Sequence, residues 1–385
     1  MYSTVDFRMA GGQWTWCSLD AMHMEENRLL APLTTFGIGG PARWFVEAES
    51  EDQIVDATAW AREQGHKLFV LGGGSNLLVS DAGFDGLVLR IGILGIEAYC
   101  DGPPGDAFGQ WVYRVAAGEI WNRFVQRAVI DNCAGIECLA GIPGTVGGTP
   151  VQNVGAYGQE VAPVIERVRV FDLVEREFRE FSAAECGFAY RRSRFNSTDR
   201  GRYIVTRVDY RLELGGAPTL RYAELQKWIE ANGQSRQPSL ADVAAVVRRV
   251  RQAKGMLLVE GDPDCRSAGS FFKNPVVSEA DAARVAEVSG KEPPRFAAGQ
   301  GAENAGRVKL PAAWLIEQAG FAKGFRLGRA GISSRHTLAL VNLRDADGSG
   351  GASATDVLAL AEKIGGTVEA RFGIRLEMEP VLVGF

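Results

Sequence analysis

Two glycine-rich passages about seventy residues apart, Gly72-Gly73-Gly74-Ser75-Asn76 and Gly141-Ile142-Pro143-Gly144-Thr145-Val146-Gly147-Gly148, constrain this chain more than any other feature. Glycine lets a backbone approach a neighbour closely, and amides freed of side chains can converge on an anionic group. One such passage alone reads as a tight turn. Two together suggest a cradle for a diphosphate-bearing cofactor, one that needs no lysine. Neither passage is Gly-x-Gly-x-x-Gly between a strand and a helix, and neither is a Walker loop, so the dinucleotide fingerprint and the P-loop are rejected. Short β-rich runs at 67–71 and 87–91 flank the first passage, which makes it a turn between strands.

The surrounding pattern mixes helix and strand without repeated βαβ units. Ser50 with Gln53 opens a helix that Gly65 stops, another helix spans 120–132, and Ser239 with Asp242 opens one whose Val243, Val246, Val247 and Val250 form an apolar stripe. Residues 204–214 alternate as a half-buried antiparallel strand. In the last third, Ser278 with Asp281 opens a helix, Pro311 starts another, and 355–372 and 374–383 read as a final helix and a closing strand. Residues 1–27, with Trp14 and Trp16, follow neither period and read as an irregular extension.

At 385 residues the chain exceeds what one core ordinarily supports, so two or three domains are expected. The 42 Lys and Arg against 47 Asp and Glu leave a net charge of -5, which disfavours nucleic acid as a partner. No apolar run reaches a membrane span and the first ten residues lack a signal-peptide pattern, so membrane insertion is not expected and a cytoplasmic location is. The six cysteines, at 17, 100, 133, 138, 186 and 265, lack paired spacing and read as buried thiols. Only His23, His66 and His336 are present, so no metal site is expected and acid chemistry needs other side chains. His336 itself reads as a residue flanking a strand.

Three further runs stay ambiguous on their own. Tyr190-Arg191-Arg192-Ser193 fits a solvated basic turn, Gly269-Ser270-Phe271-Phe272-Lys273-Asn274-Pro275 a structural turn, and Glu377 with Glu379 one exposed strand face.

Together with the glycine passages and Pro150-Val151-Gln152-Asn153-Val154-Gly155-Ala156-Tyr157-Gly158, these runs occur in an order that resembles the UDP-N-acetylenolpyruvoylglucosamine reductases, over roughly 28–385. The resemblance implies an α+β chain: a two-subdomain FAD-binding fold of the vanillyl-alcohol-oxidase (PCMH) type and a C-terminal α+β substrate-binding domain. The divisions it suggests are 1–27 as extension, 28–95 and 96–258 as FAD-binding subdomains, and 259–385 as substrate domain. It implies non-covalent FAD, NADPH as reductant, and UDP-N-acetylglucosamine enolpyruvate as substrate, with no obligate protein partner. Gly72, Gly73, Gly74, Ser75, Asn76, Gly141, Ile142, Pro143, Gly147 and Gly148 match its flavin contacts. Ser270 matches its proton donor, and Arg191 and Glu379 the residues about the substrate carboxylate. Tyr222 matches the tyrosine of its type I subgroup, while Tyr157, Lys254, Asn274 and Gln318 match substrate contacts. The stretch 256–267 departs from the shorter type I pattern. An oxidase of the wider flavoprotein fold would share the glycines but not Ser270 with Glu379. A sugar-nucleotide-binding protein without catalysis would have no use for Arg191, Ser270 and Glu379 together.

Overall fold

A computed structural model describes residues 22–101, 110–231, 237–298, 305–345 and 350–385; Trp14, Trp16 and Cys17 lie outside the described residues. The first sheet opens with β1 (Met24–Leu29), antiparallel to β2 (Pro41–Ala48). Paired structure therefore begins upstream of Arg28, inside the stretch read as irregular. The strand is an exposed edge whose outward residues are mostly polar, so it is held by backbone pairing and leaves no apolar period to read.

Ser50 caps α1 (Glu51–Glu63) by accepting from the Gln53 amide at 3.2 Å. The Gln53 side chain reaches back to the Glu49 amide. The chain continues through β3 (Lys67–Leu71), β4 (Leu77–Val79) and β5 (Phe84–Ile91). The sheet order is β1-β2-β5-β3, with β5 parallel to both of its neighbours. A second, antiparallel sheet holds β6 (Ile96–Asp101) and β7 (Gln110–Ala116) beside the strands Tyr203–Leu214, Ile165–Asp172 and Glu177–Ser182. Helix α2 (Trp121–Ile130), α3 (Ala223–Ala231) and α4 (Leu240–Ala253) accompany it, α4 carrying the Ser239/Asp242 capping box in full. One continuous core joins both sheets: Leu87 and Leu89 of β5 belong to the same buried cluster as Tyr113, Trp121, Phe124 and the valine stripe of α4.

The last third packs α5 (Glu279–Ser289), α6 (Ala312–Gln318) and α7 (Ala354–Phe372) around Phe271, Phe272, Leu315 and Leu360. Phe36, Ile38 and Leu78 from the first part complete this second core and bind the two parts together. Pro311 stands at the N-cap of α6 rather than inside it. The closing strand is shorter than its pattern suggests, covering only Val381–Val383, parallel to β4. Pro380 has no amide to donate, and the residues before it lead out of the second core, paired only by an isolated bridge from Met378 to Phe272. Of the described cysteines, Cys133, Cys138, Cys186 and Cys265 are buried, but Cys100 is exposed on β6, the edge strand of its sheet. Among the described residues no helix is long and apolar enough to cross a membrane.

Candidate active site

A cavity of about 790 Å³ runs between the two sheets and the C-terminal core. Both glycine passages line it and touch each other. A Cβ on Gly73 would stand 2.5 Å from Gly144 Cα, so the close approach of the two backbones requires glycine there. Gly148 faces open space, so any side chain at that position would project into the cavity. The Asn76 amide then ties three parts together: its Nδ2 donates to Gln152 Oε1 at 2.6 Å and to the Glu379 carbonyl at 3.2 Å. The backbone of Asn76 also accepts from the Val381 amide at 2.9 Å. The first glycine turn thus delivers the Glu379 side chain to the cavity.

Ser270, Arg191 and Glu379 all line this space. Gly269, at φ +81°, turns the chain so that Ser270 bridges to Ala339 on one side, while Phe272 bridges to Met378 on the other. Among the described residues nothing hydrogen-bonds the Ser270 hydroxyl, which leaves its proton available to a ligand. The Tyr190-to-Ser193 run is no solvated turn. Ser193 is fully buried, donates to the Val151 carbonyl at 2.6 Å and caps the following turn of helix. Arg191 takes a left-handed φ of +54°, which few non-glycine residues adopt. Its Nη2 donates to the Gly155 carbonyl at 2.8 Å. Its Nε lies 3.1 Å from Glu379 Oε1, but the N–H is off line and finds no acceptor. The contact is electrostatic rather than a formed hydrogen bond. Burial pushes the Glu379 carboxyl above the ordinary carboxylate range, against the pull of Arg191 and Lys273 and with help from Glu377.

The opposite end is built on the C-terminus of α4. Lys254, its C-cap residue, pairs with Glu224 of α3 at 2.5 Å. Tyr157 packs edge-on against Tyr222, with ring centroids 5.4 Å apart, and Tyr222 is 42% exposed. Burial pushes the Tyr157 hydroxyl up to about 12, partly offset by Arg251. Arg251 is buried and holds the Gly141 carbonyl at 3.1 Å and the Met256 carbonyl at 2.9 Å.

Comparison with known proteins decides what this arrangement is. The profile of the UDP-N-acetylenolpyruvoylglucosamine reductase C-terminal domain matches residues 262–383, and an FAD binding domain matches residues 42–176. A UDP-N-acetylenolpyruvoylglucosamine reductase of Thermobifida fusca is 45% identical over 365 residues, 93% of this chain and 97% of its own. One from Streptomyces coelicolor is 44% identical, covering 92% of this chain and 89% of its own. The chain belongs to this family. The crystal structure of the enzyme from Thermus caldophilus superposes over 94% of this chain and 99% of its own, with a TM-score of 0.61 at 29% identity.

Family membership brings an α+β FAD-binding fold and FAD as cofactor, and the residues present fit that group. Paired side-chain-free turns and the unfilled space over Gly148 suit a flat ring system carrying a diphosphate. Of the contacts expected from the sequence, residues 72–76, Ile142, Pro143, Gly147, Gly148, Tyr157, Tyr222 and Lys254 line the cavity with Ser270, Arg191 and Glu379. Gly141 stands just behind it, its carbonyl held by Arg251. Two residues do not reach the cavity. Asn274 caps α6 by accepting from the Ala312 amide at 2.9 Å, and Gln318 ends the same helix. Arg251 and Gln152 are wall residues that the sequence reading did not single out. Arg251 follows Val247 on the apolar stripe of α4, and an arginine at such a buried position was the available signal.

Proposed function

We propose that this protein reduces UDP-N-acetylglucosamine enolpyruvate to UDP-N-acetylmuramate with NADPH, through bound FAD, in peptidoglycan precursor synthesis. The observation that carries the reading is the meeting of Ser270, Arg191 and Glu379 at one end of a cavity walled by both glycine passages. Held by residues 72–76 and 142–148, FAD would supply the hydride chemistry that links NADPH to C3 of the enolpyruvyl group. Holding the substrate carboxylate, stabilising charge on it and delivering a proton to C2 are left to the protein.

Arg191 offers its off-line Nε–H to that carboxylate. Glu379, whose protonated form burial favours, donates in that form to the oxygen where charge grows; ionised, it would repel it. Ser270 gives the proton to C2, a task a weak acid can perform only against a strongly basic carbanion held in contact. Tyr157, Tyr222 and Lys254 hold the nucleotide at the far end. Residues 28–95 and 96–258 serve as the flavin side and 259–385 as the substrate side. The reaction is placed in the cytoplasm, where NADPH and nucleotide sugars are made.

The test is an absorbance spectrum of the purified protein. A yellow protein should bleach with NADPH and recover its colour on adding the enolpyruvyl nucleotide, and acid should release the flavin. Bleaching without recovery on that substrate, but with recovery on a simple alcohol or ketone pair, would favour an oxidase of the wider fold.

A further inference from the structure

Glu137 is fully buried, yet no step of the reaction uses it. It opens the single turn of helix Glu137–Leu139, which runs through Ala140 into the second glycine passage. Its two side-chain oxygens accept from three N–H donors, which no other side chain of this length can do. Oε2 receives the Gly135 amide at 2.9 Å. Oε1 receives the Thr219 amide at 2.7 Å and the Gln159 side-chain amide at 3.1 Å.

Gln159 and Thr219 belong to two segments that reach the cavity. Gln159 stands in the short hairpin of Gly155–Ala156 with Gln159–Glu160, whose turn is Tyr157-Gly158. Its Oε1 accepts the Cys138 amide at 2.8 Å, and its Nε2 also donates to Thr219 Oγ1 at 3.3 Å. The Cys138 thiol donates to the Thr219 carbonyl at 3.2 Å. Every polar group of Thr219 is therefore engaged by this buried node. Three residues further on, Tyr222 is exposed and rests edge-on against Tyr157. The hairpin turn packs against the same segment, since a Cβ on Gly158 would lie 3.3 Å from Arg221 Cβ. Three residues of chain span about 10 Å at full extension, so pinning Thr219 confines Tyr222 to the neighbourhood of that turn.

We propose that Glu137 is a positioning residue for substrate binding: by pinning Thr219 it places Tyr222 against Tyr157 at the nucleotide end of the cavity. This rests on the reading of that end as a nucleotide-sugar site. Glu137 does not line the cavity and acts through Tyr222.

The test is a double-mutant cycle between Glu137 and Tyr222, read as Michaelis constants of the FAD-loaded enzyme for the enolpyruvyl nucleotide. Glu137→Met keeps the length and removes both acceptors. It should raise that constant by at most the ~10-fold at stake in the one aromatic contact of Tyr222. The kcat, the Michaelis constant for NADPH and the flavin spectrum should stay parental. In the Tyr222→Ala background the same substitution should produce no further rise. In Glu137→Gln the one remaining oxygen can still take Thr219 and Gln159, so this variant should recover most of the parental constant. A parental constant in Glu137→Met would overturn the proposal. So would losses that add in full with Tyr222→Ala, which would make Glu137 a group that only holds the core together. Should Glu137→Met lose its flavin, Glu137→Asp carries the same cycle with the same two outcomes, being one methylene too short to reach Gly135 and Thr219 together. A parent enzyme that does not turn over the enolpyruvyl nucleotide would instead overturn the reading of the site, whatever the variants do.

Discussion

The two ends of the cavity are built on different principles. At the Ser270 end the backbone fixes the charged groups: Glu379 donates its amide to the Phe271 carbonyl at 2.9 Å, and Arg191 holds a left-handed φ of +54°. Such conformations cost energy and persist only where surrounding bonds enforce them. At the Lys254 end Tyr157 also holds a left-handed φ, of +50°, but the groups around it make exchangeable contacts. Tyr222 is exposed and Lys254 is held by a partly exposed carboxylate, 27% and 38% open for the two side chains. The contrast matches the two tasks. Chemistry needs donors in place before charge develops, whereas a site that admits and releases a nucleotide needs contacts a ligand can replace.

The sharpest way to break this comparison is at Ser270. Ser270→Ala should leave flavin reduction by NADPH intact and slow reoxidation by the enolpyruvyl substrate by ~100-fold or more, as stopped-flow absorbance would record. Parental reoxidation would mean that another acid protonates C2.

Glu379→Gln comes next, because its amide can still donate. Its loss in the reoxidation rate should stay below the ~100-fold typical of a deleted oxyanion donor. The pH profile carries the stronger information. With the carboxyl raised by burial, the competent protonated form persists above the usual carboxylate range and is lost as pH rises through the folded-state pKa. That falling limb should disappear in the Gln variant, and its survival would assign it to another group.

At the nucleotide end, Tyr222→Ala should raise the Michaelis constant for the sugar nucleotide by about 10-fold, well beyond any change for NADPH, since one aromatic contact is at stake. Equal changes for both would remove Tyr222 from the substrate side. The smallest effect belongs to Glu224→Gln, which frees Lys254 from its pair. Partly exposed ion pairs are worth ~1 kcal/mol or less, so the substrate should bind a few-fold more tightly, with kcat unchanged. Weaker binding would show that Glu224 orients Lys254 rather than competing with the ligand.

Local signals were legible wherever one stretch of chain carried the whole instruction. Ser239 with Asp242 opened α4, strand β3 spans the apolar run at 67–71, and the long alternation at 204–214 lies in a central strand, Tyr203–Leu214. They failed where an element depends on a distant partner. Polar β1 is a strand because β2 pairs with it, and residues 374–380 are not one because they pass between cores. Asn274 carries a motif position yet spends its oxygen on the first turn of α6.

The sequence by itself determined the glycine turns, the helix caps and the ordered set of motifs, because each is written in adjacent residues and needs no other part of the chain. Only the tertiary structure decided which of those motifs share a space. It turned Glu379 inward at 12% side-chain exposure while Glu377, two residues away, stays 72% exposed. It also set the buried Arg251 behind Gly141 and brought His336 to the cavity wall. Burial, and with it the pKa and the direction of a side chain, is a property of neighbours far apart in sequence, and spacing along the chain does not encode it.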